Sequence, residues 1–324
     1  MEKISTSVII PTFNRSSRLS CTLDAISDSN IAYEKLEVVV VNDGSNDNTS
    51  DIRLKPYPFQ LLYLEQSNQG DGLARNYGAS LSQGDLLIFL DDDITVTTNL
   101  LTNMVKAHGG RKGVIVLGTL VDAATHYPNK VEREIVFDEP EEWNPVPFTE
   151  CHSGLMAISQ EDFIRLGMFD PLRIAGSSIW ADVELAYRAD HKGFNFIQST
   201  QAVGYHHDKH SHNLEAKSRR AYTTARGAVL LFQRHPALIN HLPMFQDKTP
   251  INWNQDPKKL IIRKMIRSLA SNWLVIFMLK GLYYFPFSIT GRMGSIKEAL
   301  ERWIIGGYIY RGYRRGLIER QRKV

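Results

Sequence analysis

Residues 84–93 read GDLLIFLDDD, an apolar run that leads directly into three aspartates. The run Leu86–Leu90 predicts a strand buried on both faces, as in a parallel sheet. Three adjacent carboxylates repel one another, so they are stable together only beside a cation, an arginine or water. A solvated acidic turn is one explanation. The position at the end of a buried strand instead favours a site for Mg²⁺ or Mn²⁺ at Asp91–Asp93.

The residues before this stretch alternate between strand and helix patterns. Ser7–Ile10, Val38–Val41 and Leu61–Leu64 are short apolar runs, and a helix pattern rich in small residues covers Gly70–Ser82. Strands that alternate with helices predict an α/β fold with a mostly parallel sheet and flanking helices. Ligands of such folds bind in the loops at the carboxyl ends of the strands.

Polar loops follow the predicted strands at Pro11–Arg15, Asn42–Ser45 and Asp91–Asp93. No GxGxxG motif follows the first strand, which argues against a dinucleotide-dependent dehydrogenase. Residues 68–78 read NQGDGLARNYG. Their small residues can let a helix end approach a phosphate that Arg75 pairs with, or can simply allow close helix packing.

In this order and spacing, the segments PTFNR, VVVVNDGSNDNT, NQGDGLARNYGAS and GDLLIFLDDD resemble the family 2 glycosyltransferases. The resemblance covers about the first 95 residues and implies the GT-A fold, a Rossmann-like nucleotide-binding unit fused to an acceptor region. It implies that Thr12 and Asp43 contact the nucleoside and that Arg75 lies near the base and phosphates. Asp91 would face the ribose or join Asp93 at the metal. The other implied donor-binding positions are Pro11, Asn14, Arg15, Gly44, Gly70 and Asp92.

The second half resembles the same family more loosely. Residues 153–170 match its acceptor-side segment, and WADVELAYR at 180–188 matches a motif that places the catalytic base at Asp182. Ala181 departs from the family, which usually has Glu there, and Glu184 is the alternative base. An acidic pair at a helix N-terminus, favoured by the dipole, explains the same residues without catalysis.

Histidines follow a strand-like pattern at AVGYHHDKHSH, residues 202–212. By the resemblance, His206 or its neighbour His207 completes the metal site. The alternative is a solvated polar loop without a metal. We expect His210 and His212 to take no part in the site in either case.

The resemblance implies an inverting transfer of a sugar from a nucleoside diphosphate sugar, with a UDP-sugar favoured, to a hydroxyl of a saccharide or lipid-linked acceptor. Mn²⁺ or Mg²⁺ would be the cofactor and an Asp the general base. Two alternatives stay open. One is a catalytically decayed carbohydrate-binding protein, which only Ala181 indicates, since the family usually has Glu there. The other is a nucleotidyltransferase, although no Gly-rich triphosphate loop is present near the N-terminus.

Composition limits the remaining classes. With 324 residues, 43% hydrophobic and 23% charged, the chain is neither disordered nor collagen-like. Its two cysteines, Cys21 and Cys151, lie far apart, which argues against a disulfide scaffold or a Cys-based zinc site. We expect no secretory signal and a cytoplasmic location. The predicted regions are a donor-binding part at 1–95, an acceptor-side part at 96–213 and a helical region at 214–324.

Charge is unevenly distributed along the chain. Residues 257–324 hold 15 Lys and Arg against 3 Asp and Glu, whereas residues 1–256 hold 23 against 32. An apolar stripe runs through 260–273, and an aromatic-rich segment interrupted by Lys280 and Pro286 follows, which suits a bilayer span poorly. The pattern favours peripheral binding to an anionic membrane, on its inner face, through residues 257–324. A helical subdomain packed on the sheet is the alternative, and no nucleic-acid motif is present.

Overall fold

The computed structural model describes residues 5–123, 143–170, 180–207, 213–285 and 291–321. Its chain divides into two compact units, Met1–Asp208 and Lys209–Val324. The predicted boundary at 213/214 lies close to this division, and the predicted split at 95/96 falls within the first unit.

A mixed sheet organises the first unit. Within the described residues it has nine strands in the order β3-β2-β1-β4-β8-β6-β9-β5, with β7 paired to β9. Neighbours among β1 to β4 are parallel, while β8 is antiparallel to both β4 and β6. The strands are β1 (Thr6–Thr12), β2 (Leu36–Asn42), β3 (Gln60–Glu65), β4 (Leu86–Leu90), β5 (Ile94–Val96), β6 (Val114–Asp122), β7 (Trp143–Pro145), β8 (Leu155–Ser159) and β9 (Asn195–His206).

The central strands are buried on both faces, as their unbroken apolar runs predict. In β1 and β2 every residue is buried, and Val8 pairs with Val38 in parallel register. Helix α1 (Ser16–Ser27) packs Leu19 and Leu23 into the same core. The other helices of this unit are α2 (Asp71–Leu81), α3 (Leu100–His108), α4 (Gln160–Leu166) and α5 (Ala181–His191).

The second unit is helical in its described part, as predicted from Leu214 onward. Helix α10 (Gly291–Gln321) approaches α6 (Leu214–Arg234) so closely that a Cβ at Gly312 would clash with the Tyr222 carbonyl oxygen. The rings of Phe232, Phe245 and Tyr313 pack together beside this contact. The remaining helices are α7 (Pro243–Gln246), α8 (Lys258–Ala270) and α9 (Trp273–Tyr284).

Candidate functional site

The polar loops predicted from the sequence meet at one edge of the sheet. Because β1, β2 and β4 are parallel neighbours, their carboxyl ends place Thr12, Asp43 and Asp91 at the same edge. The Asp43 amide donates to the Thr12 carbonyl oxygen at 2.9 Å, which joins the first two loops directly. This edge is the candidate site.

Asp92 and Asp93 share one arginine. Arg15 Nη1 lies 2.9 Å from Asp92 Oδ1 and 2.9 Å from Asp93 Oδ2. The Thr12 hydroxyl donates to the other Asp92 oxygen at 2.7 Å. Burial raises the pKa of Asp92 to about 6, although Arg15 and Thr12 act in the opposite direction. Burial would also raise the pKa of Asp93, but His206 and Arg15 hold it below its ordinary value.

Asp93 and His206 form the part of the site best suited to a divalent cation. Asp93 Oδ1 is buried without a hydrogen bond of good geometry, and His206 Nε2 lies 3.3 Å from it. A carboxylate oxygen and an imidazole nitrogen are ligands that Mn²⁺ accepts. No group of three or more His, Cys, Asp or Glu in the described ranges is arranged to hold a metal. A cation held by Asp93 and His206 would need further ligands, such as phosphate oxygens and water.

His207 and Asp91, also predicted as metal ligands, have other partners. The His207 ring bonds the Thr95 hydroxyl at 2.8 Å, and burial and Arg18 lower its pKa. Asp91 accepts a hydrogen bond from Arg75 Nη2. Neither contact excludes rearrangement around a ligand, so both assignments stay predictions.

Arg75 is almost fully buried between two carboxylates. Its Nη1 lies 2.9 Å from Asp71 Oδ2, and its Nη2 binds Asp91. Burial would lower the pKa of Arg75, but Asp91 and Asp71 raise it above its ordinary value. A Cβ at Gly154 would lie 2.7 Å from Asp91 Oδ2, so this glycine makes room for the carboxylate. Arg75 thus holds a fixed positive charge at the edge where a diphosphate is expected.

Asp43 anchors the loop that begins α2. Its Oδ1 accepts from Gln66 Nε2 and from the Gln69 amide, both at 2.7 Å, and its Oδ2 accepts from the Gly70 amide at 2.8 Å. Gly70 has φ of 92°, and a Cβ at Gly44 would lie 2.9 Å from the Asn68 amide nitrogen. The geometry gives Asp43 a positioning role, and its contact with a nucleoside stays a prediction.

The first loop is tied to the second by Asn14. Its backbone is left-handed, with φ of 54°, and its Oδ1 accepts from the Asn46 amide at 2.7 Å. Its own amide donates to the Ser45 hydroxyl at 2.9 Å. Pro11 lies buried within β1, opposite Val41. These two residues shape the site through the backbone.

Asp182 enters the site from the first turn of α5. It is half-buried, and its Oδ1 accepts from the Val183 amide at 2.8 Å. Burial raises its pKa, although the Val183 amide, Arg75 and His152 act in the opposite direction. Asp182 therefore lies within electrostatic reach of Arg75, which connects the acceptor side to the donor side.

His152 is a site residue that the sequence prediction missed. Its Nδ1 is buried without a hydrogen-bond partner, and it lies within electrostatic reach of Asp182, Asp91 and His206. Burial lowers its pKa, which favours the neutral form of the ring, although Asp182 and Asp91 act in the opposite direction. Its place directly before the acceptor-side segment 153–170 was the one available signal.

Glu184, the alternative base, forms a buried ion pair with Arg188. It is 1% exposed, and both its oxygens accept from Arg188 Nε at 2.9 Å. Arg188 also donates to the carbonyl oxygens of Leu166 and Met168, at the turn after α4. This geometry favours a structural role for Glu184 over the base role.

Comparisons with known proteins show what the chain is similar to. Residues 7–164 match the model of Glycosyl transferase family 2. Validoxylamine A glucosyltransferase of Streptomyces hygroscopicus subsp. jinggangensis is 26% identical over 276 residues, 73% of this chain and 62% of that protein. Glycosyltransferase AglE of Haloferax volcanii is 28% identical over 207 residues, 62% of this chain and 66% of that protein. The chain thus spans less than two thirds of the length of these curated relatives.

A solved structure extends the likeness to almost the whole chain. Mannosyltransferase PcManGT from Pyrobaculum calidifontis, in complex with GDP-Man and Mn²⁺, superposes with a TM-score of 0.63. The two chains share 18% identity over 98% of this chain and 88% of the other. At this identity the likeness shows a common fold and nothing more. Residues 7–164 therefore match Glycosyl transferase family 2, and the structural likeness together with the strand order shows that the chain has the GT-A fold.

Proposed function

We propose that this chain transfers a sugar from a nucleoside diphosphate sugar to an acceptor hydroxyl, with inversion at the anomeric carbon. One observation carries the proposal. Asp182, a carboxylate whose pKa burial raises, lies within electrostatic reach of Arg75, which itself binds Asp91. A base and a buried cation for the leaving diphosphate therefore belong to one site.

In the proposed reaction, Asp182 accepts the proton of the acceptor hydroxyl as its oxygen attacks the anomeric carbon. The bond from that carbon to the diphosphate oxygen breaks, and its electron pair leaves with the nucleoside diphosphate. Burial favours this role, because a carboxylate with a raised pKa is a stronger base. Arg75 would compensate the charge that develops on the diphosphate.

Asp93 and His206 would hold the divalent cation, Mn²⁺ or Mg²⁺. When bound, the cation supplies a Lewis acid for the diphosphate oxygens. Asp43 would contribute by keeping the Gly70 amide and the start of α2 in place for the donor. We favour a UDP-sugar as donor, on the family resemblance, and a saccharide or lipid-linked acceptor.

The first test is donor binding by the full chain, measured as thermal shift with UDP, GDP, dTDP and CDP, with and without Mn²⁺. A ligand that binds the folded state raises its stability by about 2.7 kcal/mol at a hundredfold excess over Kd. We expect one nucleotide to act, only with metal, and Asp93→Ala to abolish the shift. Asp24→Ala, an exposed aspartate on α1, is the control and should leave it unchanged.

The second test separates the base from the binding residues. Asp182→Asn should keep nucleotide binding and reduce turnover of the matching nucleotide sugar by about 10²- to 10⁴-fold. Asp190→Asn, an exposed aspartate on the same helix, should retain normal turnover. Near-normal turnover in Asp182→Asn would reject this base. Sugar binding without turnover in the wild type would instead favour the carbohydrate-binding alternative, and pyrophosphate release from a nucleoside triphosphate would favour a nucleotidyltransferase.

A further inference from the structure

Helix α8 turns most of its apolar residues toward solvent, whereas an amphipathic helix of a soluble protein turns them toward the core. Its apolar residues Ile262, Met265, Ile266 and Leu269 are exposed, and Leu269 reaches 72%. Helices of soluble proteins turn such residues toward the core. The apolar stripe predicted in this segment therefore exists, and its larger part points away from the protein.

Two cations of α8, Lys264 and Arg267, lie on the side that faces the protein. Lys264 is 4% exposed, and its Nζ lies 2.6 Å from Asp256 Oδ2 and 3.0 Å from the Pro250 carbonyl oxygen. Arg267 pairs with Asp247 at 3.3 Å and lies over the Trp303 ring. These contacts fix the rotation of the helix. The apolar side of the helix faces outward because these ion pairs hold Lys264 and Arg267 on the inner side.

Helix α9 continues the exposed apolar surface. It buries Ile276 and partly covers Leu279 and Tyr283, whereas Leu274, Phe277 and Met278 stay exposed, Phe277 at 70%. Lys280 again points to the protein, where it binds Glu215 at 2.7 Å. We call the exposed residues Ile262, Met265, Leu269, Leu274, Phe277 and Met278 the α8–α9 surface. Exposed apolar residues concentrated in this way mark an interaction site.

The surface also has a defined charge. Residues 257–285 contain six Lys and Arg and no Asp or Glu. Lys258, Lys259 and Arg263 are exposed on the first turns of α8, and the aromatic residues Trp273 and Tyr284 stand exposed at the two ends of α9. Exposed cations beside apolar residues, with aromatic rings at the margins, suit the headgroup region of an anionic bilayer.

The helices are too short to cross a bilayer singly. In the described residues no single helix is long and apolar enough for that, while α8 and α9 reach the required length and composition only together, across a bend of 76°. We propose that the α8–α9 surface inserts into the interface of an anionic lipid bilayer and holds the protein there peripherally. Anionic lipids are abundant in the cytoplasmic leaflet, which is where we place the protein.

This surface also bears on the acceptor. A protein held at the bilayer interface can meet an acceptor whose lipid anchor lies in the same leaflet. A lipid-linked saccharide is therefore the acceptor class that we favour. That statement rests on the proposed function, whereas membrane binding itself does not.

The test is flotation of the full chain with vesicles of phosphatidylcholine alone and of phosphatidylcholine with phosphatidylserine. We expect flotation with the anionic vesicles and a decrease at high salt. Lys258→Glu with Lys259→Glu and Arg263→Glu should lower partitioning by about fivefold or more per cation removed. Lys55→Glu with Lys106→Glu and Lys112→Glu, three exposed lysines of the first unit, is the matched control.

The apolar contribution is tested by Leu269→Glu with Phe277→Glu. Both side chains are exposed, so folding is retained, and we expect partitioning to fall by about tenfold or more. Leu54→Glu with Ile164→Glu changes two exposed apolar residues of the first unit and should float like the wild type. Circular dichroism and the nucleotide thermal shift confirm folding and donor binding independently of flotation.

Two outcomes would overturn the proposal. One is a wild-type chain that does not float with anionic vesicles. The other is flotation that Leu269→Glu with Phe277→Glu leaves unchanged. If the wild type instead forms a concentration-dependent dimer that this variant dissociates, and no vesicles bind, the surface joins two copies of the chain. Flotation tests this proposal, and the nucleotide thermal shift tests the proposed function. A chain that binds the nucleotide but does not float would therefore contradict the membrane proposal alone.

Discussion

At the scale of the residue, Asp92 shows how burial and charge compete in this site. It is 4% exposed, and it accepts hydrogen bonds from Thr12 and Arg15. Burial still prevails, so its pKa is raised to about 6. A carboxylate that resists ionisation beside two others lowers the charge density of the free site.

Asp92 predicts a pH dependence of stability. Because its folded-state pKa is above the unfolded value, the folded protein binds more protons between about pH 4 and 6. Its contribution to the free energy of unfolding is therefore complete below pH 4 and is lost as the pH rises to 6, by about 3 kcal/mol at most. Asp93 and Asp47, whose pKa values are lowered, lose their contributions only as the pH falls below 4. The measurement is carboxyl NMR titration of Asp92 with EDTA, alongside urea unfolding at each pH.

Arg15→Ala gives the control for this interpretation. It removes a positive charge from Asp92 and Asp93, so the pKa of Asp92 should rise further. Arg53→Ala, which removes a guanidinium over the Tyr63 ring, should leave the titration unchanged. An Asp92 that titrates near pH 4 in the wild type would contradict the expected burial effect.

At the scale of the element, α5 serves two purposes on its first two turns. Asp182 lies within electrostatic reach of Arg75, and Glu184 with Arg188 holds the turn that follows α4. The Asn76 side chain then binds both backbone groups of Phe169, at 2.8 and 3.0 Å, and joins this turn to α2. The placement of the proposed base thus depends on contacts that carry no chemistry.

Arg188→Ala tests this structural role. It leaves the Glu184 carboxylate buried without its partner, so the free energy of unfolding should fall by about 3 kcal/mol. Lys112→Ala is the control, because Lys112 and Glu161 form an ion pair in which both side chains are exposed, so its loss should cost about 1 kcal/mol or less. Urea unfolding compares the two. Equal losses would show that the Glu184 pair is no more important than a surface pair.

At the scale of the whole molecule, the first unit is built on a sheet whose central strand is paired along both edges and buried on both faces. β1 lies between β2 and β4, while β3 is at the edge of the order. All residues of β1 are buried, whereas β3 is exposed or half-exposed throughout. Opening β1 requires disruption of the core, and opening β3 requires only local separation.

Amide hydrogen exchange checks this difference. We expect β1 amides to exchange at least about tenfold more slowly than those of β3, since central strands open only with global unfolding. Mass spectrometry of the full chain resolves the two strands as separate peptides. Exchange of β3 at the rate of β1 would mean that the sheet opens as one unit, against this expectation.

The sequence by itself determined the layers and the position of the site. Apolar runs such as Val38–Val41 and the strand–helix alternation are properties of neighbouring residues, so they predict a parallel sheet. The site then follows, because parallel strands bring Thr12, Asp43 and Asp91 to one edge.

Only the tertiary structure decided which partner each site residue has. Arg15 meets carboxylates 77 and 78 residues away, and His152 joins the site without any motif of its own. It also decided the direction of α8. The spacing of apolar residues along a helix is the same whether they face a core or solvent, so the contacts of Lys264 and Arg267 with distant acids were needed to orient it.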